Sequence, residues 1–156
     1  MFRNRNGGFN KVFNAMAFKI NIPKGATVTK ASFECIIGET GLPEYTAKFG
    51  FVHPSESLTF LQTCEYKTIS KLASTSVSWN LSSIHPHIKV GAIVSMTELQ
   101  VLLQEFVNDD AYTPGTYFQL VIFEESFQKR MSVQNFFKCY ALHQDEWRPL
   151  LQVEWL

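Results

Sequence analysis

The stretch Ile22–Glu34, "IPKGATVTKASFE", decides the fold. It runs a polar turn straight into an alternating segment. Pro23 presets φ and Gly25 can take φ > 0, so "IPKGA" reads as a reverse turn. Beyond it, Val28, Lys30, Ser32 and Glu34 point one way along an extended chain. Thr29, Ala31, Phe33 and Cys35 point the other. A turn feeding such a segment joins two strands of a β structure.

The same reading extends in both directions. Upstream, Val12–Ile22 alternates Phe13, Ala15 and Ala17 against Asn14, Met16, Phe18 and Ile20. Downstream, a strand over about 27–37 leads to a loop at 38–44. A third strand at 45–52 carries Ala47, Phe49 and Phe51 on one face and stops at His53-Pro54, because proline has no N–H for the ladder. Residues 55–74 show no clear period. "TSVSWN" then sets Val77, Trp79 and Leu81 inward against Ser76, Ser78 and Asn80. One helix is expected near 96–108. Ser95 and Glu98 have the spacing of a capping box, and Met96, Leu99, Leu103, Phe106 and Val107 form an apolar stripe. Glu98, Gln104, Glu105 and Asn108 face away from that stripe. Asn108-Asp109-Asp110 ends the helix, and "YTPGT" turns the chain. Tyr117–Phe123 is nearly all apolar, as in a strand buried on both faces, with the helix as the expected cover of its second face. Two more strands follow at 132–142 and 148–155. The expected fold is an all-β, antiparallel β-sandwich with one α-helix.

With 156 residues the chain fits one domain, and 46% hydrophobic residues, 14 of them Phe, can fill its core without a metal or disulfide. Residues 1–12 hold too little apolar surface to fold alone and read as an N-terminal arm on a single domain over 13–156. Its Phe2, Arg3, Arg5 and Phe9 are candidate interface residues: the rings as buried anchors, the cations for a negative partner surface. Fourteen basic residues balance fourteen acidic ones, which argues against general nucleic-acid binding. No apolar run reaches membrane-spanning length, and no signal peptide is expected at "MFRNRNGGFN". Cys35, Cys64 and Cys139 read as reduced thiols, in keeping with synthesis in a cytoplasm.

Catalytic, cofactor and metal sites are expected to be absent. His85 and His87 offer two imidazoles without further ligands nearby. Asp109-Asp110 lacks the oxygen-rich spacing of a calcium loop. Glu124-Glu125 and Asp145-Glu146 are adjacent pairs, and neighbours on a strand point to opposite faces. There is no G-x-S-x-G elbow and no phosphate-binding glycine loop.

Four segments recur in a familiar order: "AMAFKINIPKGATVTKASFE" (15–34), "TSVSW" (75–79), "ELQVLLQEFVNDDAYTPGTYFQLVIFEES" (98–126) and "RPLLQVEW" (148–155). The ordered set resembles the DNRLRE family of β-sandwich domains, jelly-roll relatives of carbohydrate-binding modules. Tyr112 stands where that family has Trp, and Trp155 is the closing aromatic. The resemblance implies that the sandwich is jelly-roll-like. It also implies a non-enzymatic structural component of a bacteriophage virion, such as a capsid decoration, head-fibre, tail or baseplate protein. Such a protein is made in the host cytoplasm and works by assembly with other virion proteins, as a homo- or hetero-oligomer. The alternative it implies is a carbohydrate-binding module for a host cell-surface glycan, with Tyr112 and Trp147 stacking on sugar rings.

Overall fold

The computed structural model describes residues 13–40, 46–56, 73–80, 91–124, 137–139 and 149–156. These residues form β1 (Phe13–Lys19), β2 (Val28–Thr40), β3 (Thr46–Phe51), β4 (Val77–Asn80), β5 (Ile93–Met96), α1 (Gln100–Asn108), β6 (Tyr117–Glu124), β7 (Phe137–Cys139) and β8 (Leu150–Trp155). All strand pairs are antiparallel. One sheet has the order β1-β6-β3-β4; the other has β5-β2-β7, with β8 also on β2. Among the described residues the fold is the expected all-β sandwich with one α-helix.

The turn after Ile22 carries the chain from one sheet to the other. Ala26 N–H donates to Pro23 O at 3.1 Å, and Gly25 takes φ 84°. A positive φ at that third turn position favours glycine. Phe33 of β2 then meets Phe49 of β3 across the sandwich, ring centroids 6.0 Å apart. Phe51, Phe106 and Phe118 pack mutually at 5.1–5.9 Å, so α1 closes the core at one end through Phe106.

The alternation of the opening stretch holds only in part. Ala31, Phe33 and Cys35 are buried as expected, but Thr29 is exposed and Val28 is fully buried. A register shift between Val28 and Lys30 opposite β8 explains this. The extra residue advances the pleat by one, which puts Val28 on the core side with Ala31. A second shift at Gly38 lets β2 continue to Thr40 against β7, where the sequence suggested a loop.

The helix starts later than the capping box implied. Ser95 lies in β5, paired with Glu34, and Val94 and Met96 are buried opposite Cys35 and Phe33. A period of two over 93–96 overrides the local cap signal, because Val94 and Met96 face the core from a strand. Leu99 is the N-cap, without a side-chain cap bond, and Leu102, Leu103, Phe106 and Val107 form the buried stripe. The helix ends at Asn108, as expected.

Gln104 does not face away. Its Oε1 accepts from Val28 N–H at 2.7 Å, and its Nε2 donates to Ala26 O at 3.2 Å. Gln100 Nε2 donates to Val28 O at 2.8 Å. Thr27 exchanges both backbone bonds with Leu156, so the polar groups of Val28 point to the opposite edge, where these glutamines stand in for a neighbouring strand.

In β6, Phe118 to Ile122 are all buried, as a two-face burial requires. The helix, however, covers the inner face, through Phe106 on Phe118, and not the second face of Gln119 and Val121. Trp79 packs on Phe49 at 5.7 Å but is only half-buried, because β4 is the last strand of its sheet in the described order.

Candidate functional site

Two surface regions of the described residues combine exposure with chemistry. The first is the rim at the C-terminal end of α1. Asp109, the helix C-cap, accepts the Ala111 N–H on Oδ1 at 2.8 Å. Its Oδ2 lies 2.7 Å from His53 Nε2. His53 follows β3, and its carbonyl closes a 3-10 turn at Pro54–Glu56 by accepting the Glu56 N–H. Ser55 on that turn places its Oγ 2.9 Å from His53 Nδ1. Asp110 sits 3.9 Å from Lys24 of the β1–β2 turn, both exposed. Both carboxylates of the Asp109-Asp110 pair therefore have protein partners, in keeping with a polar helix stop. Among the described residues no group of three or more His, Cys, Asp or Glu side chains could hold a metal.

The second region is the outward face of the β5-β2-β8 sheet. Residues opposed in register share a face, so Ile93 pairs with Ile36, and Leu150 with Glu34. Ile93 is 69% exposed and Leu150 46% exposed. Ile36, opposite Ile93 and two residues on from Glu34, is half-buried on that same face. Lys30 and Glu154 form an exposed ion pair at 3.1 Å further along the same face.

The structure moves Tyr112 off the candidate surface. Its ring is fully buried on Phe106 at 5.2 Å, and its hydroxyl donates to Ile22 O at 2.6 Å. No ring face is left for a sugar, so Tyr112 is a core residue. Burial raises its phenol pKa above the usual value. Phe2, Arg3, Arg5, Phe9 and Trp147 lie outside the described residues, as do His85, His87, Asp145 and Glu146.

Sequence reasoning missed two features. Trp155 is 45% exposed at the end of β8, the large exposed aromatic among the described residues. In sequence it reads only as the closing aromatic of the last strand. The His53–Ser55–Asp109 cluster was also missed, because its acid comes from the far end of a helix remote in sequence. The "HPS" tripeptide (53–55) was the available signal. No helix among the described residues is long and apolar enough to cross a membrane. The chain matches no family model, no curated protein and no solved structure.

Proposed function

We propose that this protein is a structural component of a bacteriophage virion, held in place by surface contacts. The resemblance to DNRLRE domains motivates the setting. The observation that carries the binding mode is the exposure of Ile93 and Leu150, beside the half-buried Ile36, on one sheet face. Exposed aliphatic side chains sharing a sheet face gain most by meeting another protein surface. The arm, with Phe2 and Phe9, is a second contact in the same proposal. Burying one Phe contributes about 1.5–3 kcal/mol.

The test is particle recovery. An Ile93→Lys, Leu150→Lys double variant should fold, since exposed substitutions cost only about 0.5 kcal/mol each and a lysine at 150 faces Glu34. It should be depleted from purified virions, as should a chain lacking residues 1–10. Normal incorporation of both variants would remove this reading.

Trp155 favours a second reading, glycan recognition, because an exposed indole can stack on a sugar ring. Glycan-array binding that disappears in Trp155→Ala, with the Ile93 and Leu150 variant unaffected, would select that reading instead.

A further inference from the structure

We infer that Ser55 is an activated nucleophile, acylated by activated esters through His53 and Asp109. This goes beyond the assembly reading and does not depend on it.

With His53 neutral, the geometry sets the direction of each hydrogen bond. An ionised carboxylate can only accept, so the 2.7 Å contact between Asp109 Oδ2 and His53 Nε2 requires the proton on Nε2. In the neutral ring Nδ1 then carries the lone pair. It accepts from the Ser55 hydroxyl at 2.9 Å and, more weakly, from the Ser55 N–H at 3.4 Å. The order acid, imidazole, hydroxyl, with the imidazole oriented by the acid, is the arrangement that activates a serine. The supports are rigid on both sides. Pro54 is buried between His53 and Ser55, and Asp109 is held by its own bond to Ala111. The reacting group is also reachable, since Ser55 is exposed and so is the His53 side chain beside it.

The chemistry balances without a further reagent. Ser55 Oγ bonds to the ester carbonyl carbon as its proton passes to His53 Nδ1. The imidazolium so formed is stabilised by Asp109. Collapse of the tetrahedral intermediate breaks the carbon–oxygen bond to the leaving alcohol, which takes the proton from Nδ1. The product is acyl-Ser55, and water can release the acid by the same proton path. The backbone N–H of Ser55 already donates to Nδ1 and that of Glu56 to His53 O. Neither is aimed at a developing oxyanion, whose stabilisation by one donor is worth about 10²–10³ in rate. The first acylation, rather than rapid turnover, is therefore the step to measure.

The experiment is incubation of the full chain with p-nitrophenyl acetate, read by intact mass and peptide mapping. One acetyl group on Ser55 is expected, absent in Ser55→Ala. His53→Gln should slow acetylation of Ser55 by about 10²-fold, the lower range for a lost general base. Asp109→Asn should slow it at least about tenfold, because an amide can donate to Nε2 and drive the proton onto Nδ1. A purely structural cluster would leave Ser55 unmodified in the wild-type chain, which needs no variant to establish. Acetylation confined to lysines, or Ser55 modified equally fast in folded His53→Gln, would overturn the proposal.

Discussion

Tyr112 shows how one residue can serve the core while looking like a surface aromatic in sequence. Its ring fills the space beside Phe106, and its hydroxyl satisfies the carbonyl of Ile22 where the chain leaves the first sheet. Tyr112→Phe keeps the ring and orphans that carbonyl, so it should cost about 1–3 kcal/mol in a denaturant melt. The raised phenol pKa gives a second expectation. The unfolded phenol titrates near pH 10, and the folded one higher. Below pH 10 both states hold the proton and stability is flat. Above it the unfolded state loses the proton first, so stability should fall as pH rises toward the folded pKa. Tyr112→Phe should flatten that part of the alkaline decline in melts taken from pH 9 upward. An unchanged decline would place the titration elsewhere.

Among the elements, α1 does two jobs that amphipathicity alone does not reveal. Its apolar stripe, seen in sequence at Leu103, Phe106 and Val107, enters the core. Its glutamines Gln100 and Gln104 complete the backbone bonding of β2 where no strand of the described residues pairs. Gln104→Ala leaves the Val28 N–H without its acceptor, at a cost of about 1–3 kcal/mol. Hydrogen exchange at the Val28 amide should accelerate more than at Phe33, in the strand centre. Equal protection at both would mean that the glutamine is dispensable there. The sequence could not show this bond, since a glutamine on a helix looks the same whether it meets water or a strand edge. The β4 strand gives a simpler case. Its inward Val77 and Trp79 were legible from alternation, but the half-exposure of Trp79 depends on the position of β4 in the sheet. Trp79→Ala should therefore cost less than the roughly 3–5 kcal/mol of a fully buried ring, about 2–3 kcal/mol by thermal or denaturant melts.

In the whole molecule, Phe106 is the point where helix and sheet meet, touching Phe51, Tyr112 and Phe118. Phe106→Ala should cost about 3–5 kcal/mol and lower the melting temperature cooperatively, because it opens a cavity shared by several elements. By itself the sequence determined the class of fold. Period-two patterning, two proline–glycine turns and one helical stripe leave a sandwich as the way to bury that many aromatic faces. It also determined which side of β3 and β4 faces inward, because that follows from local alternation. What only the tertiary structure decided was everything set by a neighbour. A one-residue bulge put Val28 in the core, since register depends on the partner strand. Ser95 went into a strand because β2 offered Met96 and Val94 a place beside Phe33 and Cys35. Tyr112 was buried and Trp155 left half in water by where each element ends. The nearness of His53, Ser55 and Asp109 likewise arises from the packing of a helix end on the turn after β3. Local pattern fixes which way a side chain points along its own strand or helix. Only the assembled chain fixes what it meets there.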